Sequence, residues 1–322
     1  MDWKRLKAEL LAANTVRIEG EPCTGFISRS TAGPTAGGEG SVFFSRGGRR
    51  VRLSLAPDGR VVLRHHGGGR ATVRLGDLEA EGTLEPAGLH CPRQAYVNVS
   101  ERCIFRCRYC TVPLLGGGTK DPEAIEARVR GVLDRVDAIS ITSGVSDSLE
   151  AEEARVLDLV KRLVPLGKPV GVSIYPLPGT PKRLHDLGVA EVKWNLEAAT
   201  PELFARMCPG LDYEAIRKAL RDSVKLFGKG AVFSNIIFGL GETDEELERC
   251  IGDLTSSGVI PVLRPLNPSA ELASMPRPAA ERFLRVCGIL EKALRRHGLD
   301  TRKAHTMCTA CTGCDLVPGR DT

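Results

Sequence analysis

In the first ninety residues, apolar and polar positions alternate in short runs that predict β-strands. The runs are TVRIEG, SVFFS, RRVRLSL, RVVLR, ATVRL and EAEGTLE, and Gly-rich turns separate them. A short charged helix precedes the first run, and a long Gly, Ser and Thr loop extends from Ser28 to Ser41. We therefore predict a small N-terminal β-rich domain over residues 1–90.

From about residue 94 the pattern changes to strand, loop and helix, repeated six times. Alternating strands and helices predict a parallel sheet, and nearly continuous apolar strands predict burial on both faces. No Rossmann-type glycine turn follows the first of these strands, so the pattern favours an α/β fold built on a partial (β/α)6 TIM-type barrel. The predicted barrel covers residues 91–298, and a C-terminal cysteine-rich tail covers residues 299–322. The predicted strands are AYVNVS, DAISITS, PVGVSIY, EVKWNLE, VFSNIIFGL and VIPVLRPL.

Polar side chains gather at or just beyond the C-terminal ends of these strands. In a barrel those ends meet at one mouth, so the accumulation predicts an active site there. For any single residue, a capping or loop-starting role is the competing interpretation. The residues are Asn98, Ser100, Thr142, Ser143, Tyr175, Asn195, Glu197, the segment 239–242, Arg264 and Asn267.

Composition changes this picture mainly through cysteine. Hydrophobic residues make up 42% and charged residues 26%, and a net charge of +5 with interleaved signs gives no reason to expect nucleic-acid binding. The N-terminus lacks the apolar core of a secretion signal and no stretch is long enough to span a bilayer, so we expect a cytoplasmic protein. Thiols there stay reduced, and eleven cysteines then indicate metal binding rather than disulfides.

Three of the cysteines lie in the segment CIFRCRYC, just after the first barrel strand. Cys103, Cys107 and Cys110 could line a buried helix face, but a loop at the barrel mouth is exposed to the cavity. A zinc site would need a fourth ligand at short spacing, and a ferredoxin run would need a further cysteine followed by proline. Neither follows Cys110, whereas three thiolates suffice for a four-iron, four-sulfur (4Fe–4S) cluster with one open iron.

The Cys-x3-Cys-x2-Cys spacing, with Tyr109 before the last cysteine, resembles the radical S-adenosylmethionine (SAM) enzymes of the biotin synthase and lipoyl synthase branch. A purely structural cluster is the alternative. The resemblance implies that SAM binds the open iron and is cleaved reductively to a 5′-deoxyadenosyl radical. Such a radical abstracts hydrogen from an unactivated carbon.

Further resemblance covers most of the barrel and implies cofactor-binding roles. Thr142, Ser143 and Gly144 stand where the family binds the amino group of SAM, although the common Gly-Gly-Glu form is absent. Asn195-Leu196-Glu197 is similar to a motif that holds substrate and ribose, and Phe238–Thr243 is similar to a turn beside the adenine, here with Gly239 and Gly241. Arg264 would pair with the SAM carboxylate or with substrate.

A second group, Cys308, Cys311 and Cys314, lies in the polar segment MCTACTGCD. We predict a second 4Fe–4S cluster, with zinc and a distant fourth ligand as the competitor. Ten extended residues reach about 33 Å, so the tail can return to the mouth and face the radical. We expect that path, with Ser28 or Ser30 as a labile oxygen ligand. If the tail stays below the barrel, Cys91 becomes the natural fourth ligand.

The best family match is to the two-component, archaeal-type lipoyl synthases. This resemblance implies sulfur insertion into an octanoyl chain carried on a lysine of an acidic carrier domain, with the auxiliary cluster as sulfur donor. A low-potential electron donor such as ferredoxin and a paralogous radical SAM partner are further expectations. The alternatives are a maturase or cofactor-building enzyme that uses the auxiliary cluster for electron transfer or substrate anchoring, and a non-catalytic iron–sulfur carrier or scaffold.

Overall fold

The computed structural model describes residues 2–29 and 38–322. Its N-terminal part is a closed six-stranded barrel in the order β1-β3-β2-β6-β5-β4, preceded by a helix. Buried Val and Leu side chains from alternate positions of the strands fill its interior. The elements are α1 (Trp3–Ala13), β1 (Thr15–Gly20), β2 (Ser41–Arg46), β3 (Arg49–Leu55), β4 (Val61–His65), β5 (Arg70–Leu75) and β6 (Leu78–Glu85).

The second sheet has seven strands in the order β13-β12-β11-β10-β9-β8-β7. Strands β8 to β13 are parallel, while β7 is a two-residue antiparallel strand at the edge. The prediction of an α/β fold with a partial parallel barrel is confirmed, because six successive strands pair in sequence order and the sheet stays open. The strands are β7 (His90–Cys91), β8 (Gln94–Asn98), β9 (Ala138–Thr142), β10 (Val170–Ser173), β11 (Glu191–Lys193), β12 (Val232–Phe238) and β13 (Ile260–Pro265).

Helices connect the parallel strands, and polar caps fix where several of them begin. Asp121, Ser148, Thr200 and Asp212 each accept backbone N–H bonds at a helix start, and Thr243 forms a capping box with Glu246. The helices are α2 (Pro122–Arg130), α3 (Leu149–Leu163), α4 (Thr180–Asp186), α5 (Pro201–Met207), α6 (Tyr213–Phe227), α7 (Asp244–Ser256), α8 (Ala280–His297) and α9 (Met307–Cys311). Among the described residues, no helix has both the length and the apolar character needed to cross a bilayer.

The chain termini are tied together beside α8. Lys7 on α1 is fully buried, and its Nζ donates to Thr312 O at 2.5 Å and pairs with Asp321 at 2.7 Å. Trp3 Nε1 donates to the same carboxylate at 3.1 Å. A buried ion pair broken on one side costs about 3–5 kcal/mol, so this contact fixes the C-terminal segment firmly against α1.

Candidate active site

A cavity of about 300 Å³ inside the second sheet is lined by both cysteine groups. Cys103, Cys107 and Cys110 border it at the carboxyl ends of the strands. Cys308, Cys311 and Cys314 border the same space. Two groups separated by almost two hundred residues therefore open onto one chamber.

The loop that carries the first group is held by backbone hydrogen bonds. Ile104 N donates to Val145 O at 2.8 Å, Arg108 N to Met207 O at 2.9 Å, and Cys110 N to Cys107 O at 2.9 Å. Burial raises the pKa of the Cys103 thiol and raises the pKa of Cys110 to about 12. With a pKa of about 12, the Cys110 thiol stays protonated at neutral pH until a metal displaces the proton.

Tyr109 and Cys208 support this loop. The Tyr109 hydroxyl lies 3.7 Å from Cys208 Sγ, and the thiols of Cys107 and Cys208 are in hydrogen-bonding contact. Cys208 is fully buried and does not line the cavity, whereas Tyr109 does. Cys208 therefore supports the loop from behind and does not face the cavity.

The end of β9 meets the cysteine loop at Ser143 and Gly144. Ser143 Oγ accepts from Ser100 N at 3.0 Å and donates to Glu152, a buried carboxylate that also accepts from Ser100 Oγ at 2.8 Å. A Cβ on Gly144 would stand 2.3 Å from Arg102 O, so only glycine permits this approach. Thr142, Ser143 and Gly144 all line the cavity.

Strand β11 and its continuation place four polar side chains on the inner face, at alternate positions from floor to mouth. Glu191 contacts the tail, while Lys193, Asn195 and Glu197 line the cavity. Burial raises the pKa of Glu197 to about 7, although Lys193 and the hydrogen bonds from Tyr109 and Asn195 oppose the rise. Glu197 also has φ of 58°, an uncommon conformation that is held here by backbone pairing with β12.

The C-terminal tail enters the barrel from its floor. His305 N and Thr306 N donate to Glu191 at 2.9 and 2.8 Å, and Met307 N donates to Ser140 Oγ at 2.9 Å, half-way up β9. The prediction that the tail returns to the mouth is wrong, because buried polar groups on the inner face of the strands bind it from below. The tail nevertheless brings its cysteines to the same cavity as the first group.

Ser28 does not serve as the expected oxygen ligand in this arrangement. Its hydroxyl donates to His90 O at 2.6 Å, and Ser28 does not line the cavity. Ser30 lies outside the described residues. Cys91, the other residue considered, is 1% exposed and lines the cavity with the tail cysteines.

Two cations face the tail cysteines. Lys193 Nζ lies 3.7 Å from Cys308 Sγ, and Arg264 hydrogen bonds to the Cys314 thiol. Burial would lower the pKa of Lys193, but the thiol of Cys308 and the hydroxyl of Tyr96 outweigh that effect and the pKa is raised. Arg264 thus contacts the second cysteine group, although the sequence indicated a place beside the SAM carboxylate or the substrate.

A family model described as the radical SAM superfamily matches residues 97–254, which include the first cysteine group and strands β9 to β12. These residues form a radical SAM domain. The chain is 26% identical over 263 residues to the lipoyl synthase of Micrococcus luteus, covering 67% of this chain and 76% of that one. It is 28% identical over 165 residues to the lipoyl synthase of Haemophilus influenzae, covering 49% of this chain and about half, 51%, of that one.

Solved structures share the fold at lower identity. The FeFe-hydrogenase maturase HydG from Carboxydothermus hydrogenoformans gives a TM-score of 0.52 at 17% identity, covering 63% of this chain and 51% of that chain. Methylornithine synthase (PylB) gives 0.52 at 16% identity, covering 62% and 63%. These likenesses concern the fold alone. In sequence the chain is similar to lipoyl synthases.

The glycine turn after β12 does not reach the cavity of the radical SAM domain. Glu242 is buried, accepts from Gly239 N at 2.7 Å and Leu240 N at 2.9 Å, and pairs with Arg282 at 2.7 Å. Gly239 and Gly241 have φ of 100° and 113°, and neither lines the cavity. Their role beside the adenine stays a prediction, while the geometry shows a turn that is held by its own carboxylate.

Lys193 and Asn235 are site residues that the sequence patterns did not indicate. Asn235 lines the cavity, and its Oδ1 is buried without a hydrogen-bond partner among the described residues. Such an atom is costly unless a ligand satisfies it, which fits a chamber built for a polar cofactor such as SAM. Charged and amide residues inside otherwise apolar strands were the available signal. Across the described residues, no three Cys, His, Asp or Glu side chains converge on one metal-ion position.

Proposed function

We propose that this chain is a radical SAM sulfur-insertion enzyme that acts on an octanoyl group attached to a carrier-protein lysine. The observation that carries the proposal is the single cavity with one cysteine group at its mouth and another at its floor. Cys103, Cys107 and Cys110 would hold the 4Fe–4S cluster that binds SAM. Cys308, Cys311 and Cys314 would hold the auxiliary cluster that supplies sulfur.

The residues at the mouth fit SAM by their chemistry. Thr142, Ser143 and Gly144 offer polar groups for the amino end, while Asn195 and Glu197 offer partners for the ribose hydroxyls. The unpartnered Asn235 Oδ1 is a further acceptor for a donor on SAM. Reductive cleavage of SAM at the open iron supplies the 5′-deoxyadenosyl radical, and the protein's tasks are to position the substrate carbon and exclude water.

The residues at the floor fit an anionic cluster. Buried cations need anionic partners, and Lys193 and Arg264 both contact thiols of the second cysteine group. Four residues of extended chain separate the level of Lys193 from that of Glu197, which corresponds to about 13 Å. An acyl chain that enters this gap would have the radical above one carbon and the sulfur donor below it.

The chemistry balances for one sulfur atom. SAM bound at the cluster of Cys103, Cys107 and Cys110 would supply a radical that removes one hydrogen atom from the acyl chain. A cluster held by Cys308, Cys311 and Cys314 would supply the sulfide for the new C–S bond and would take up the one electron that this bond releases. Each sulfur inserted would therefore consume one SAM and one electron from a low-potential donor such as ferredoxin.

A protein substrate is supported by the surface at the mouth. The large apolar side chains that are exposed in the described part of the chain are Ile104, Leu114 and Leu115, all in or near the first cysteine loop. Arg102 and Arg106 are exposed in the same loop. A surface that is both apolar and basic suits an acidic carrier domain that delivers an acyl-lysine. The proposal also includes a paralogous radical SAM partner, which would insert a second sulfur atom.

One observation favours a second candidate function. Cys91 lies beside Cys311, and four thiolates hold a cubane more firmly than three thiolates and a hydroxyl. A firmly held auxiliary cluster suits electron transfer or substrate anchoring in a maturase or cofactor-building enzyme.

Single-turnover experiments test the proposal. Protein reconstituted without oxygen is mixed with dithionite, SAM and an octanoyl-lysine peptide, and 5′-deoxyadenosine, thiolated peptide and remaining sulfide are measured. We expect Cys308→Ala, Cys311→Ala and Cys314→Ala each to form 5′-deoxyadenosine without thiolated peptide, while Cys287→Ala behaves as wild type. If wild type forms 5′-deoxyadenosine and its auxiliary cluster stays intact, the result would instead support the second candidate. If wild type forms no 5′-deoxyadenosine, both candidates would be refuted.

A further inference from the structure

We propose that Cys91 is the fourth protein ligand of the auxiliary cluster. The inference rests on the second cluster of the proposed function and holds whether that cluster donates sulfide or carries electrons. It adds a metal ligand from outside the tail, at the junction between the N-terminal barrel and the radical SAM domain.

The β7–β8 hairpin aims Cys91 at the tail. Cys91 pairs directly with Gln94, so both side chains lie on the same face of the hairpin. Gln94 Nε2 donates to Met307 O at 3.0 Å, and its Oε1 accepts from Ser140 Oγ at 2.8 Å. Because Ser140 Oγ also accepts from Met307 N, these bonds fix the first residue of α9 immediately before Cys308.

Cys91 is in direct contact with the tail. It packs against Cys311 in one small buried cluster, and the two residues are 1% and 7% exposed. Cys91 and the three tail cysteines line the same cavity, so a cluster bound by the tail lies within reach of the Cys91 thiol.

The N-terminal barrel supplies the wall behind this site. Phe43 on β2 packs with Cys91 and Cys311 in a small apolar cluster. Arg52 N on β3 donates to Gly313 O at 2.7 Å, and a Cβ on Gly313 would stand 2.7 Å from the Phe43 ring. The close approach of the tail to this wall explains why glycine precedes Cys314, and it gives the N-terminal barrel a role in forming the auxiliary site.

His90 is the main competitor as a ligand. It lines the cavity, and a neutral imidazole can bind metal. However, its ring packs against Tyr96 in a tilted arrangement, with centroids 5.2 Å apart and ring planes at 52°, whereas Cys91 packs against Cys311. Ser28 is engaged with His90 O and is not in the cavity.

Iron and sulfide counting on the full-length chain tests the inference. In a background with Cys103, Cys107 and Cys110 replaced by alanine, reconstitution with ferrous iron and sulfide should load only the auxiliary site, with about four irons per chain. We expect Cys91→Ala in this background to lose at least one iron and to change the electron paramagnetic resonance spectrum. Cys91→Ser, which preserves volume, should load but lose iron to a chelator faster than the background protein. Circular dichroism confirms folding, and Cys287→Ala, another buried cysteine, should match the background.

The outcomes distinguish a wrong assignment of Cys91 from the absence of a second cluster. Full iron content and an unchanged spectrum in Cys91→Ala, or iron loss only in His90→Ala, would overturn the assignment of Cys91 and leave the second cluster in place. A background protein that binds no iron, or binds zinc instead, would remove the second cluster and with it the sulfur-insertion proposal.

Discussion

Glu191 binds the start of the tail at the floor of the barrel, and Glu191→Gln removes its charge at almost constant volume. The carboxylate is 3% exposed and accepts from His305 N at 2.9 Å, Thr306 N at 2.8 Å and Thr306 Oγ1 at 2.5 Å. A glutamine has one acceptor oxygen. If that oxygen stays with Thr306, the amide NH2 group faces the His305 N–H, and neither can accept.

The expected cost is one lost hydrogen bond and two weakened ones. Leaving a buried N–H unsatisfied costs about 1–3 kcal/mol, and replacing a charged acceptor with a neutral one weakens each remaining bond by about 1 kcal/mol. The total is about 3–5 kcal/mol, and its lower end corresponds to roughly a 100-fold change in the equilibrium between docked and undocked tail.

Hydrogen exchange measured by mass spectrometry on the full-length protein reports this equilibrium directly. In Glu191→Gln, the amides of residues 306–312 should exchange roughly 100-fold faster, while those of β12 keep their protection. Glu202→Gln, on the exposed side of α5, is the matched control and should leave the tail unchanged. Wild-type protection of the tail in Glu191→Gln would refute the claim that this carboxylate holds the tail in the barrel.

Three further predictions concern the floor and the mouth. Gly171→Ala would place a Cβ 2.1 Å from Thr306 Oγ1, so it should lower iron content at the auxiliary site, whereas Gly252→Ala, with open space around its Cβ, should not. Lys193→Met removes a charge 3.7 Å from Cys308 Sγ and should lower the auxiliary reduction potential, measured by redox titration of this one-electron couple, by about 200 mV at an effective dielectric constant of about 20. Leu114→Asp, at a side chain 65% exposed, should raise KM for an acylated carrier domain but not for a free octanoyl-lysine peptide; equal effects on both would contradict docking at this rim.

The elements and the first cysteine group could be predicted because their signals are local. Alternation within SVFFS or RVVLR and the apolar run of VFSNIIFGL identify strands, and the position of CIFRCRYC after the first barrel strand places it at the mouth. Short helices such as α4 and α5 were not predicted, since seven residues carry too little periodicity.

The path of the tail could not be predicted, because it depends on pairs distant in sequence. Glu191 contacts Thr306, and Lys193 contacts Cys308. The only local sign of either contact in the sequence is a charged residue within a strand that is otherwise buried. The place of the Arg264 side chain could not be predicted for the same reason. Its position at the end of β13 indicated the mouth of the barrel, but the side chain contacts Cys314 of the tail, which is distant in sequence.

Isotopic tracing of the inserted sulfur tests the central claim most directly. The auxiliary site is reconstituted with ³⁴S-sulfide, excess sulfide is removed, and a single turnover with SAM and an octanoyl-lysine peptide is followed by mass spectrometry and iron counting. Thiolated peptide that carries ³⁴S, formed together with loss of the auxiliary cluster, is the predicted result. Thiolated peptide with unlabelled sulfur, or 5′-deoxyadenosine formed while the labelled cluster stays intact, would contradict sulfur donation from the floor of this barrel.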